Sequence, residues 1–151
     1  MRRRPHIDAI TMVPIGRVAC EEHDPDRVDW AHVRSEVRLD AGLGEALLGL
    51  ADYSHVIVVG WLDRIPEELR ARRRAYPNGD PAYPLQGALA LRGGARPNPI
   101  SVTVCRLRGI EGDTIRLEGL DLVDGTPVLD VKPYIAHYDS EPRASLPRWA
   151  R

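Results

Sequence analysis

The chain has 151 residues, 43% of them hydrophobic, and a formal net charge of −1. Residues 1–151 therefore read as a single domain able to bury a core, and a balance so near neutral excludes a uniformly basic nucleic-acid module. The longest apolar run, Val56 to Leu62, falls far short of the roughly 20 residues that a membrane helix needs, so no membrane association is expected. Cys20 and Cys105 fit neither a metal nor a disulfide pattern, and MRRRP is followed by no long apolar segment, which together point to a reduced, cytoplasmic setting.

Strand patterns dominate in chain order. Ile10 to Ala19 is β-prone around Pro14-Ile15-Gly16, where the proline argues for an edge or a bulge. In Val33 to Leu39, Val33, Ser35, Val37 and Leu39 alternate with Arg34, Glu36 and Arg38, as in a half-buried strand with a charged outer face. Ala41 to Leu50 places Leu43, Ala46, Leu47 and Leu50 at helical spacing despite three glycines, and reads as a short helix. Val56 to Leu62 reads as a strand buried on both faces. Pro66 to Ala75 has Pro at its start, acids in its first turn and arginines towards its end, which predicts a second short helix.

Tyr76 to Pro84 (YPNGDPAYP) is too rich in turn residues for a regular element. Gly87 to Leu91 returns to strand. Ile100 to Val104 alternates, then slips phase at Cys105 to Leu107, which predicts a bulge. Glu111-Gly112-Asp113 turns the chain into Thr114 to Glu118, and Val128 to Val131 is the last strand. Residues 139–151 form a polar, proline-bearing tail that needs a neighbour for order. Many short strands with Gly and Pro turns make the fold mainly β, a small barrel or sandwich with short helices and long loops.

The stretch from Arg96 to Tyr138 carries the densest chemistry. In RPNPI (Arg96 to Ile100), two prolines restrict the backbone around Asn98, so Arg96 and Asn98 are presented at low entropic cost. In LDLVDGTPVLDVKPYI (Leu120 to Ile135), Asp121, Asp124 and Asp130 flank Gly125 and Pro127. Ser54-His55 is an isolated pair and reads as structural. The arginine run Arg70 to Arg74, with Arg2 to Arg4, is either a solvated charge run or a phosphate-binding patch.

These motifs resemble the S-adenosylmethionine-dependent methyltransferases that modify threonylcarbamoyl-adenosine beside the tRNA anticodon. VPIGRV (Val13 to Val18) looks like the family's opening strand, DYSHVIVVGWLDR (Asp52 to Arg64) like its Ser-His segment and apolar strand, and GALALRGGARPNPI like its arginine-bearing strand and loop. The resemblance covers nearly the whole chain in the family's order. It implies a small single-domain β-barrel, not a Rossmann-type domain, forming a homodimer with S-adenosylmethionine bound on the barrel.

By the same resemblance the cofactor contacts are Arg92, Asp63, Arg64, Val102 and the run Asp121, Leu122, Val123, Asp124, Gly125 and Thr126. Such a ligand calls for carboxylates facing a sulfonium and ribose, and for an arginine facing a carboxylate. Arg96, Asn98 and Trp30 are the expected acceptor contacts, no metal is expected, and no catalytic side chain is assigned. The family's Pro-Arg-Gln stretch is missing; CEEHDPDRVDW (Cys20 to Trp30) stands in its place. LRGGA precedes RPNPI where typical members have a threonine before the arginine and a bulkier or polar residue before RPN. Ser101 replaces a usual glycine. The expected activity is N-methylation of a modified adenosine in tRNA. The alternatives are methyl transfer to a small-molecule acceptor, with Trp30, Trp61 and Tyr83 around an enclosed pocket, or an adenosyl-binding module without transfer.

Overall fold

A computed structural model describes residues 9–22, 24 and 28–150. Arg2 to Arg4 and part of the Cys20 to Trp30 loop therefore lie outside the described residues. The chain forms β1 (Gly16–Ala19), β2 (Arg34–Leu39), β3 (His55–Trp61), α1 (Glu67–Arg70), β4 (Arg74–Ala75), β5 (Gln86–Gly87), β6 (Ile100–Glu111), β7 (Thr114–Glu118), β8 (Pro127–Pro133) and α2 (Ala136–Asp139). Six strands close an antiparallel barrel in the order β1-β2-β7-β6-β3-β8, with β4 and β5 paired as a separate ribbon. The mainly β, barrel-forming expectation holds.

Closure follows from alternation. Val18, Val37, Val56, Val58, Cys105, Ile115, Leu117 and Val128 point inward and are at most 2% exposed, while Arg34, Arg38 and Arg116 stay in water on the opposite faces. A closed barrel leaves no unpaired sheet edge where its strands run in register. β1, only four residues long, is the closing strand: Gly16 pairs with Leu39 of β2 and with Val128 of β8. A Cβ on Gly16 would sit 2.2 Å from the Arg38 carbonyl oxygen, so the narrow approach of β1 to β2 requires glycine.

Several elements differ from the sequence expectation. The helix expected over Ala41 to Leu50 is two 3-10 turns, Gly44–Leu47 and Leu50–Asp52, broken by Gly49 at φ 82°. The helix expected from Pro66 stops at Arg70, because Arg74–Ala75 is drawn into pairing with Gln86–Gly87. The strand expected over Gly87 to Leu91 gives way to a 3-10 turn at Ala88–Ala90. β1 occupies only the end of Ile10 to Ala19. β3 is not buried on both faces: Val56, Val58 and Gly60 are interior, while His55, Ile57, Val59 and Trp61 are half-buried outside. The phase slip comes later than expected, with the β6–β7 register shifting between Leu107 and Gly109. No helix among the described residues is long and apolar enough to cross a membrane.

Candidate functional site

β6 changes partner along its length, and this opens a groove. Residues 100–106 pair with β3, whereas β7 runs beside β6 only from Arg106 onward. The bonds Leu62 N to Pro99 O and Leu107 N to Ser54 O put the odd residues of β6 in hydrogen-bonding register with β3. Ile100, Val102 and Val104 therefore turn their backbone groups to the other side, where no strand lies beside them. These three residues are 37%, 47% and 49% exposed, an apolar stripe on the outer face.

Along this stripe runs a groove of about 1030 Å³. Its floor is Ile57, Ile100, Val102 and Val104, and its polar rim is Arg92, Arg96, Asn98, Asp121, Tyr134 and Asp139. Arg92 reaches the open edge of β6, donating from Nη2 to the Val102 carbonyl at 2.6 Å. Arg96 folds over its own loop, donating to the carbonyls of Leu91 at 3.1 Å and Gly93 at 3.3 Å. Of the glycine pair before RPNPI, Gly94 is required by space: a Cβ there would come within 2.9 Å of Leu62 and 3.0 Å of Ile65. On the other flank, Thr103 donates to the Asp121 carboxylate. Asp121 also acts on Cys105, whose thiol is pushed up to about 12, first by burial and then by that carboxylate. The groove thus sets two guanidinium groups against carboxylates over an apolar floor, an arrangement suited to a ligand with separated opposite charges.

The rest of the sequence set lies elsewhere. Leu120 and Leu122 are at most 1% exposed, and Leu122 presses on Gly60 inside the barrel. Thr126 is 2% exposed and donates to the Val123 carbonyl at 2.7 Å. Gly125 turns at φ 80°, a left-handed conformation that favours glycine, and its N–H donates to the Val18 carbonyl at 2.9 Å. Asp124 accepts from Cys20 N at 3.1 Å, and its carbonyl accepts from Arg64 Nη2 at 2.7 Å. Arg17 donates to the Gly125 carbonyl at 3.0 Å. Arg64, Asp124, Gly125 and Thr126 therefore form a second cluster against β1, outside the lining of the groove, and Asp63 is exposed next to Arg64.

Trp30 begins a 3-10 turn beside a further cleft of about 1130 Å³ lined by Cys20, Glu22, Asp29, His32, Arg34 and Arg116, among others. Burial raises the Cys20 thiol. Trp61 lies beneath Arg70, and Tyr83 packs edge-on against Trp149 with ring centres 6.5 Å apart. None of Trp30, Trp61 and Tyr83 lines the groove. Thr103 and Asp139 line it without having been singled out in the sequence; Thr103 was legible only as a hydroxyl on an alternating strand.

A family model described as the tRNA-methyltransferase O N-terminal domain matches residues 22–140. That span runs from the loop after β1 through the whole groove into the residue after α2. The chain belongs to this family. Relatives of the tRNA-methyltransferase O N-terminal domain family include a tRNA (adenine(37)-N6)-methyltransferase of Mus musculus, 38% identical over 67% of this chain and 23% of that protein. A probable S-adenosyl-L-methionine-binding protein of Pyrococcus horikoshii is 32% identical over 87% of this chain and 88% of its own length. The crystal structure of TrmO from Pseudomonas aeruginosa superposes with a TM-score of 0.74 at 29% identity, covering 97% of this chain and 64% of that one. The chain spans less than a quarter of the mouse relative and under two thirds of the crystallised TrmO chain. The longer relatives carry further sequence outside the matched region.

Proposed function

We propose that this chain binds S-adenosylmethionine in the β3–β6 groove and acts as the methyl-transferring domain of a tRNA adenine N6-methyltransferase, as a cytoplasmic homodimer. The observation that carries the reading is the convergence of Arg92, Arg96, Asn98, Val102 and Asp121, drawn from separate stretches of the chain, on one groove. A volume of about 1030 Å³ lies at the upper end of the roughly 300–1,000 Å³ of small-molecule sites, leaving room for an acceptor base.

Bound S-adenosylmethionine would supply a methyl group on a sulfonium: the acceptor nitrogen's lone pair would form the new C–N bond, the C–S bond would break with its electrons neutralising the sulfur, and the acceptor's N–H proton would leave to solvent. Arg92 and Arg96 suit the amino-acid carboxylate, Asp121 the cationic sulfur or the ribose hydroxyls, and the Val102 floor the apolar parts of the ligand. Alignment is the protein's main contribution, since a well-placed nucleophile reaches effective molarities of about 10⁵ M or more. Asn98 is proposed as an acceptor contact, with Trp30 as a stacking surface and Arg72, Arg73 and Arg74 as phosphate contacts. Asp63, Arg64, Asp124 and Gly125 lie outside the lining of this groove, so we assign them to the cofactor of a second copy of the chain, whereas Leu122 and Thr126 are buried in the barrel and drop out of the contact set. A second reading, an S-adenosylmethionine-binding module without transfer, is favoured by the Pyrococcus relative, which is named for binding alone.

Calorimetry with S-adenosylmethionine and S-adenosylhomocysteine tests the cofactor, and Arg92→Ala should weaken both. A folded protein giving no heat with either compound at millimolar concentration refutes the reading. Labelled methyl transfer to total tRNA then separates the enzyme from the binding module.

A further inference from the structure

α1 is a single turn, and it ends by sending one arginine back across the barrel. The Arg70 guanidinium lies 5.5 Å from the centre of the Trp61 ring. Its Nε and Nη2 both donate to the Pro97 carbonyl, at 3.4 and 3.3 Å. Its Nη1 is paired with the Glu67 carboxylate at 3.1 Å. The ring, the carboxylate and the carbonyl hold the guanidinium from three directions. The Arg70 side chain is 29% exposed, whereas Arg72, Arg73 and Arg74 are exposed and carry no ion pair among the described residues.

What Arg70 holds is the tip of the RPNPI loop. Arg96, Pro97 and Asn98 all line the groove. The loop's other bonds are local, from Arg96 N to Gly94 O, from Arg96 Nη1 to the Leu91 and Gly93 carbonyls and from Ile100 N to Asn98 O, or lie at its base, from Leu62 N to Pro99 O. Among the described residues, Arg70 alone ties the tip to another element. A lysine could not repeat the arrangement, because it has neither a planar face to stack nor a fork of donors.

We propose that Arg70 is a positioning residue for the groove: through Pro97 it fixes the Arg96 and Asn98 side chains, and it is not itself a phosphate contact. The inference rests on the reading that the groove binds S-adenosylmethionine, and its physical basis is preorganisation, which spares the ligand the ordering of a loop.

Two variants decide it. Arg70→Lys keeps the charge and Arg70→Gln removes it; both lose the double donation to Pro97. Hydrogen exchange read by mass spectrometry should show the peptide covering residues 94–101 exchanging about tenfold faster or more in both variants, with β3 and β8 peptides unchanged. Calorimetry with S-adenosylhomocysteine should show affinity falling about five- to twentyfold in both. Unchanged exchange in both variants overturns the proposal. So does a lysine variant that binds like the parent while only the glutamine variant loses salt dependence in tRNA binding, since that is the signature of a phosphate contact. If the unaltered protein binds no S-adenosylhomocysteine, the cofactor reading fails, and the exchange measurement still decides whether Arg70 holds the loop.

Discussion

At the scale of single residues, the charged pair in the loop before β2 gives a direct pH signature. His32 Nδ1 lies 2.8 Å from the Asp29 carboxylate, and both side chains are exposed. The hydrogen bond to Asp29 raises the His32 pKa above its ordinary 6.5, and the bond from His32 lowers Asp29 below 3.8. The contribution of His32 is therefore full below its unfolded pKa and is lost as pH rises through the raised value. That of Asp29 is present above its unfolded pKa and is lost as pH falls through the lowered one. Solvent screening keeps both small. NMR titration should find His32 raised above its ordinary value, and Asp29→Asn should lower it; an unchanged midpoint in that variant would contradict the pairing. Residue identity alone showed that Asp29 and His32 were titratable, but not that a 3-10 turn sets them facing.

At the scale of elements, β1 is the shortest strand of the barrel and the one on which closure depends. Its pairing with both β2 and β8 rests on Gly16, where any side chain meets the backbone of Arg38 and Leu39. Gly16→Ala should destabilise the fold by about 2–3 kcal/mol, as overpacking against rigid backbone does. Urea unfolding should show a lower midpoint with an unchanged slope; a midpoint equal to the parent's would mean that β1 can shift freely. Strands with a charged outer face were the legible elements: β2 and β7 match their alternation, because period two is a local property of the chain. The short helices were not legible. Leu43, Leu47 and Leu50 have helical spacing, yet Gly49 and the neighbouring barrel wall hold them as two separate turns.

At the scale of the molecule, two features bear on assembly and partners. The stripe Ile100, Val102 and Val104 leaves apolar side chains on the outer face with no strand beside them, the kind of surface that marks an interface. Light scattering at micromolar concentration should give the mass of a dimer, and an exclusively monomeric mass would count decisively against the proposed homodimer. Trp149 folds onto Tyr83 of the same chain, so the tail has a partner without a second copy. If tRNA is the acceptor, the logarithm of its affinity should fall against log salt with a slope of about −0.7 to −0.9 per phosphate neutralised. Arg72→Gln with Arg73→Gln should then flatten that slope by up to about two units. A slope indifferent to both changes would remove this arginine run from the acceptor surface.

The amino-acid sequence by itself determined the class of fold, the hairpin turn at Glu111 to Asp113, the rigid RPNPI loop and, through its resemblance, the family. These rest on alternation, on the restricted backbone of proline and on residue order, all of which are carried by neighbours along the chain. Only the tertiary structure decided which of the marked residues share a surface. Arg92 and Asp121 flank one groove because β6 leaves β7 for β3, while Leu122, in the same motif as Asp121, is turned inward to fill the space over Gly60. Arg70, one of a run of arginines that look alike in sequence, is set apart by Trp61 and Pro97. The direction of a loop side chain and the partner of an arginine are fixed by closure of the barrel, through contacts between residues far apart in the chain, and no local pattern encodes them.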